Sequence, residues 1–143
     1  MFKVTKTFGH NEGLSCCFRQ WRADSHCKFI HGYALKVSIT FSSEDLDIRN
    51  WVIDYGGFKE VKDFLHRWFD HTTLVAEDDP ELSVFEVLFE KGLIQLRTLP
   101  KLSTELFAEF IYTNVVTLIN QPAITLESVM VSEHCGNMAI YGK

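Results

Sequence analysis

Ser25-His26-Cys27-Lys28-Phe29-Ile30-His31-Gly32-Tyr33 runs directly into a segment of strict alternation. From Tyr33 to Phe41, the residues Tyr33, Leu35, Val37, Ile39 and Phe41 face one way and Ala34, Lys36, Ser38 and Thr40 the other. A period of two over this length predicts a half-buried β-strand. The stretch therefore delivers a thiol and an imidazole to a strand entrance, and Gly32 lets the backbone approach whatever binds there. Cys27 is the best nucleophile or base in the chain and His31 the best metal ligand. The plainer alternative is a Cys packed as a small hydrophobe and a His hydrogen-bonded at a strand end.

Around this stretch, 143 residues with 46% hydrophobic content are enough for one domain with a real core. A net charge of −5 offers no cationic field for nucleic acid, and no apolar run reaches membrane-spanning length. Met1-Phe2-Lys3-Val4 leads into strand-like sequence, so no signal peptide is expected. Cys16, Cys17, Cys27 and Cys135 suit neither a disulfide framework nor a CxxC knuckle, and a reducing cytoplasm is the expected compartment.

Phe2 to Phe8 reads as a first strand with Phe2, Val4 and Phe8 inward, broken by a turn at His10-Asn11-Glu12-Gly13 and resumed over Leu14 to Phe18. In Arg19-Gln20-Trp21-Arg22 the arginines are either solvated or a cationic rim for an anionic substrate. Trp51-Val52-Ile53 reads as a short strand, and Asp54 caps a helix with an apolar stripe of Phe58, Val61, Phe64, Leu65, Trp68 and Phe69. That helix ends in Asp70-His71, either an acid–base dyad or two polar neighbours pointing apart. Residues 75–102 form an insertion with a short helix faced by Leu82, Phe85, Leu88 and Phe89, closed by Gly92, and an extended piece from Leu93 to Leu99. Ser103-Thr104-Glu105 caps a second long helix, striped by Leu106, Phe107, Phe110, Ile111, Val115 and Leu118. Two strands follow: Thr125 to Glu133, with Val129, Val131 and Glu133 on one face and Leu126, Ser128 and Met130 on the other, then Met138 to Tyr141.

This order predicts an α+β fold of two layers, with two long helices stacked on a sheet. Glu133 stands out as a carboxylate beside two valines. A buried acid needs donors. A protein Arg or Lys could supply them, or a ligand with two adjacent N–H groups such as a pterin or guanine edge.

Taken in order, Cys27-x-x-x-His31-Gly32, Trp51-Val52-Ile53-Asp54-Tyr55, Asp70-His71, Ser103-Thr104-Glu105 and Val131-Ser132-Glu133 resemble the motifs of the 6-pyruvoyl-tetrahydropterin and 6-carboxytetrahydropterin synthase family. The resemblance covers nearly the whole chain. It implies a tunnelling fold over residues 1–143, an antiparallel four-stranded sheet with two long helices on one face. It further implies a hexamer built from trimers through sheet extension, with active sites at subunit interfaces. By the same resemblance the chain is a lyase acting on 7,8-dihydroneopterin triphosphate or a related dihydropterin, as in queuosine and deazapurine precursor synthesis. Cys27 and Asp70-His71 then transfer protons, Glu133 anchors the pterin with Thr104 and Glu105 nearby, and His31 is one of three zinc ligands.

Two positions depart from the family pattern. His31-Gly32-Tyr33 stands where the family has His-Gly-His, and Phe18 stands where its first strand carries a histidine. His10 and His26 are the available substitutes for a zinc site with His31, along with Cys16, Cys17 and Tyr33. Three readings follow: a pterin-converting lyase with a rebuilt metal site, a metal-independent dihydropterin aldolase-like enzyme, and a noncatalytic pterin- or purine-binding relative.

Overall fold

The computed structural model describes residues 1–143. Eight strands and three α-helices form in the order β1 (Phe2–Phe8), β2 (Ser15–Phe18), β3 (His31–Ala34), β4 (Lys36–Ser43), α1 (Lys59–Phe69), β5 (Thr72–Ala76), α2 (Leu82–Glu90), β6 (Leu96–Leu99), α3 (Thr104–Leu118), β7 (Thr125–His134) and β8 (Asn137–Gly142). The main sheet is antiparallel and four-stranded, in the order β1-β4-β7-β8. The alternation that starts at Tyr33 is present in space: Leu35, Val37, Ile39 and Phe41 are all fully buried. They pack in one core with Val129 and Val131 of β7, Val61, Phe64, Leu65 and Phe69 of α1, and Phe107, Ile111 and Val115 of α3. Both long helices thus cover one face of the sheet. The opposite face carries hydroxyls paired across strands, Thr5 with Thr40 and Thr7 with Ser38, each at 2.9 Å.

Several local readings change in three dimensions. The long strand breaks at Leu35, so that β3 and β4 join different sheets. Trp51-Val52-Ile53 forms no strand; it is an irregular lead into a 3-10 turn at Tyr55–Phe58, capped by Asp54 Oδ1 accepting from Gly56 N at 2.8 Å. Phe2 is exposed because β1 is an edge strand whose inward side is buried only at Phe8. A register shift between Thr40 and Phe41 pairs Phe41 with Leu126 and turns Leu126 onto the buried face with Val129 and Val131. Gly32 serves the fold itself: a Cβ there would stand 2.4 Å from the Cys16 carbonyl oxygen on β2.

The largest difference is a second sheet, ordered β3-β2-β5-β6, in which β2–β5 and β5–β6 are parallel. Residues 75–102 supply the end of β5, the crossover helix α2 and β6. All five residues of β5 are buried, so it shows no alternation.

Candidate active site

Cys27 sits on a 3-10 turn, His26–Lys28, whose N-cap Ser25 accepts from Cys27 N at 3.3 Å. The turn is tied down by Gln20 N donating to the Cys27 carbonyl at 2.9 Å. These bonds hold the half-buried thiol at the wall of a cavity of about 610 Å³, shared with His31, Thr104, Glu105 and Glu133. His31 Nδ1 donates to the Phe29 carbonyl at 2.7 Å. That bond leaves Nε2 with the free lone pair.

Glu133 comes to the cavity through a break in the ladder. Ser132 pairs with Met138 and His134 with Asn137, leaving Glu133 as the extra residue of a bulge. Bulges re-aim side chains, and the carboxylate accepts at 2.6 Å from Thr104 Oγ1. Thr104 opens α3, where the preceding Ser103 caps Leu106 N at 3.1 Å. The donor to Glu133 is therefore a neutral hydroxyl on a helix N-terminus, and the Tyr33 phenol stands against the same carboxylate.

Asp70 and His71 form a dyad although they are sequence neighbours. The helix stops at Phe69; Asp70 is extended and His71 takes a left-handed φ of 55°. His71 N donates to the Ser15 carbonyl at 2.6 Å, fixing the turn from α1 into β5. A residue at this post-helical position is usually Gly, and a non-Gly there stores about 1–3 kcal/mol of strain. The turn swings the imidazole back so that its Nδ1 lies 2.5 Å from Asp70 Oδ1. His66 at the other carboxylate oxygen, then His71, pull the Asp70 carboxyl below its usual range. His71 is exposed beside a second cavity of about 460 Å³, lined by Cys17, Gly32, Tyr33, Thr73 and Leu93. Within one protomer, neither Asp70 nor His71 lines the cavity of Cys27 and Glu133.

The proposed zinc ligands do not converge. No three His, Cys, Asp or Glu side chains come close enough to hold a metal. His10 Nδ1 donates instead to the Ala34 carbonyl at 2.5 Å, and His26 is absent from the Cys27 cavity. Around His31 the neighbours are aromatic: its ring centroid lies 5.5 Å from Phe18 and 5.5 Å from Tyr33, which lie 6.2 Å from each other. Phe18 has no donor atom. Burial, then the nearby Glu133 carboxylate, pushes the Tyr33 phenol above its ordinary range. Burial also pushes the Cys16 thiol up to about 12, against a thiolate ligand at neutral pH. A zinc ion on His31, His26 and His10 does not fit these side chains.

Arg19 lines the Cys27 cavity, but its charge is taken up within the protein. Its guanidinium is forked onto buried Asp79 at 2.8 and 2.6 Å, while Arg22 stacks on Trp21 at 4.0 Å. Two residues of the dyad's surroundings, Glu12 and His66, were not singled out from sequence. The i, i+4 spacing of His66 and Asp70 on a helix was the available signal.

A family model described as 6-pyruvoyl tetrahydropterin synthase matches residues 7–143. The 6-carboxy-5,6,7,8-tetrahydropterin synthases of Rickettsia felis and Rickettsia conorii are 33% and 32% identical to the chain, each over 83 residues. Those matches cover 57% of this chain and 57% of each relative, so the matched stretch is just over half their length. Among solved structures, an uncharacterised protein from Wolinella succinogenes superposes with a TM-score of 0.85 at 16% identity, covering 99% of this chain and 98% of that one. The 6-pyruvoyl tetrahydropterin synthase of Plasmodium vivax superposes at 0.68 and 15% identity, covering 100% and 99%. With nearly its whole length matched, the chain belongs to the 6-pyruvoyl tetrahydropterin synthase family.

Proposed function

We propose that this protein is a pterin-converting lyase acting on 7,8-dihydroneopterin triphosphate or a related dihydropterin, of the 6-carboxytetrahydropterin synthase type that feeds deazapurine synthesis. The observation that carries the reading is the convergence of Cys27, Thr104, Glu105 and Glu133 on one cavity. Glu133 accepts the paired N–H groups of the pterin edge with its carboxylate, and Thr104 orients it. The ring so anchored presents its side chain to Cys27, whose thiolate removes a proton. Asp70 keeps the Nδ1–H of His71 oriented, so that Nε2 exchanges protons with the substrate. Since the dyad does not line the Cys27 cavity in one protomer, the complete site is built from two copies, in a symmetric hexamer of two trimers. A metal-independent, aldolase-like reaction on a dihydropterin is the second reading, favoured by the aromatic packing around His31.

Incubating the purified chain with 7,8-dihydroneopterin triphosphate and with 7,8-dihydroneopterin, and following pterin products by mass, separates the two readings. Cys27→Ala and His71→Ala should each abolish turnover, and mixed oligomers of the two should regain part of it. No conversion of either compound by the oligomer would leave the noncatalytic binding reading in its place.

A further inference from the structure

The dyad is the exposed end of a longer chain of hydrogen bonds. His66 on α1 faces two carboxylates at once: Nε2 lies 2.8 Å from Glu12 Oε1 and Nδ1 lies 2.8 Å from Asp70 Oδ2. A neutral imidazole has one N–H and could satisfy only one of them. Both contacts require the imidazolium, and Glu12 first and Asp70 second hold the His66 pKa above its ordinary value. Lys62 Nζ adds a contact to Glu12 Oε1 at 3.2 Å, and Asp63 stands next on the helix surface. The sequence of groups is thus carboxylate, imidazolium, carboxylate, imidazole: Glu12, His66, Asp70, His71.

We infer that Glu12 and His66 are positioning residues for proton transfer: His66 clamps one Asp70 oxygen so that the other fixes the His71 ring with its proton on Nδ1 and Nε2 free. The inference rests on the proposal that the Asp70–His71 pair moves protons, and it adds the elements that set its geometry. Asp70 follows the last helical residue and has an extended backbone, so its side chain has no helical neighbour on the far side to confine it. His66, one turn back on the same helix, supplies that restraint. Glu12, from the 3-10 turn before β2, holds His66 charged and ties α1 to the loop preceding the strand that bonds His71 N. A carboxylate held by a cation on one oxygen keeps both its rotamer and its ionised form, which an acid–base partner needs.

The test reads the ring directly and needs no pterin, so it succeeds or fails independently of the proposed reaction. Nitrogen-15 correlation spectra of the oligomer should show His66 doubly protonated near neutral pH and neutral His71 carrying its proton on Nδ1. In His66→Leu, His71 should shift toward the Nε2–H tautomer that a free imidazole prefers. In His66→Gln, whose amide can still donate to Asp70, most of the Nδ1–H form should return. His71 unchanged in a folded His66→Leu protein, or equal effects of the two substitutions, would overturn the inference. Should His66→Leu fail to fold, Glu12→Ala carries the test: His66 should titrate at lower pH than in the wild type, and an unchanged titration would overturn the inference.

Discussion

Thr104 Oγ1 donates to Glu133 Oε1 at 2.6 Å, joining the first turn of α3 to the bulged end of β7. This bond orients the carboxylate without neutralising it. Each charge-assisted bond from Glu133 to a heterocycle edge is worth about 1.5–3 kcal/mol. Glu133→Gln, which replaces an acceptor oxygen by a donor, should weaken pterin binding by about tenfold or more with the fold intact. Thr104→Val should weaken it less. Titration of 7,8-dihydroneopterin by calorimetry checks both, and equal affinity in the glutamine variant would show that another group holds the ring.

Zinc content follows from the ring packing at His31. With Phe18 and Tyr33 as its near neighbours and no converging triad, the purified protein should hold well under one zinc per chain, because stable zinc sites need three or four protein ligands. Elemental analysis after dialysis against a zinc-containing buffer is the measurement. Stoichiometric zinc that disappears in His31→Ala would refute the prediction.

The Arg19–Asp79 fork pins the loop after β5 to the wall of the Cys27 cavity. Asp79 is 1% exposed and Arg19 21%. Removing one partner of a buried pair strands the other, and the residual solvation of Arg19 places the loss at the low end of that range. Asp79→Ala should cost about 3 kcal/mol, measured by urea unfolding. A loss near zero would mean that the pair contributes only local order.

Stability should depend on pH through His66. Its folded pKa is raised by Glu12 and Asp70, so its contribution is complete below the unfolded value of about 6.5 and fades as pH rises through the higher folded value. Glu12 and Asp70 are lowered, chiefly by His66, so their contribution is complete above the unfolded carboxylate range and fades as pH falls through the folded values. Melting temperature should therefore decline on the alkaline side in wild type and decline less in His66→Gln. Parallel pH curves for the two proteins would show that the contacts are not held in solution.

Period and capping determined much of this protein from sequence alone. The run Leu35, Val37, Ile39, Phe41, the stripes of α1 and α3, and the caps Asp54 and Ser103 stand where alternation and helical spacing put them. Those signals are local, because they depend on which residues share a face or a turn. The ordered motifs likewise placed Cys27, Thr104, Glu105 and Glu133 at one cavity. What only the tertiary structure decided depends on partners distant in the chain. β5 is buried throughout, so its five residues show no alternation, and its parallel pairing with β2 joins residues more than fifty positions apart. Bulges turned Leu126 inward and left Glu133 as the extra residue at the cavity. The fate of each polar group was equally nonlocal. Arg19 was bound by Asp79, His10 by a backbone carbonyl, and His66 by Glu12. A side chain's charge is written in the sequence, but the group that satisfies it is chosen by the fold.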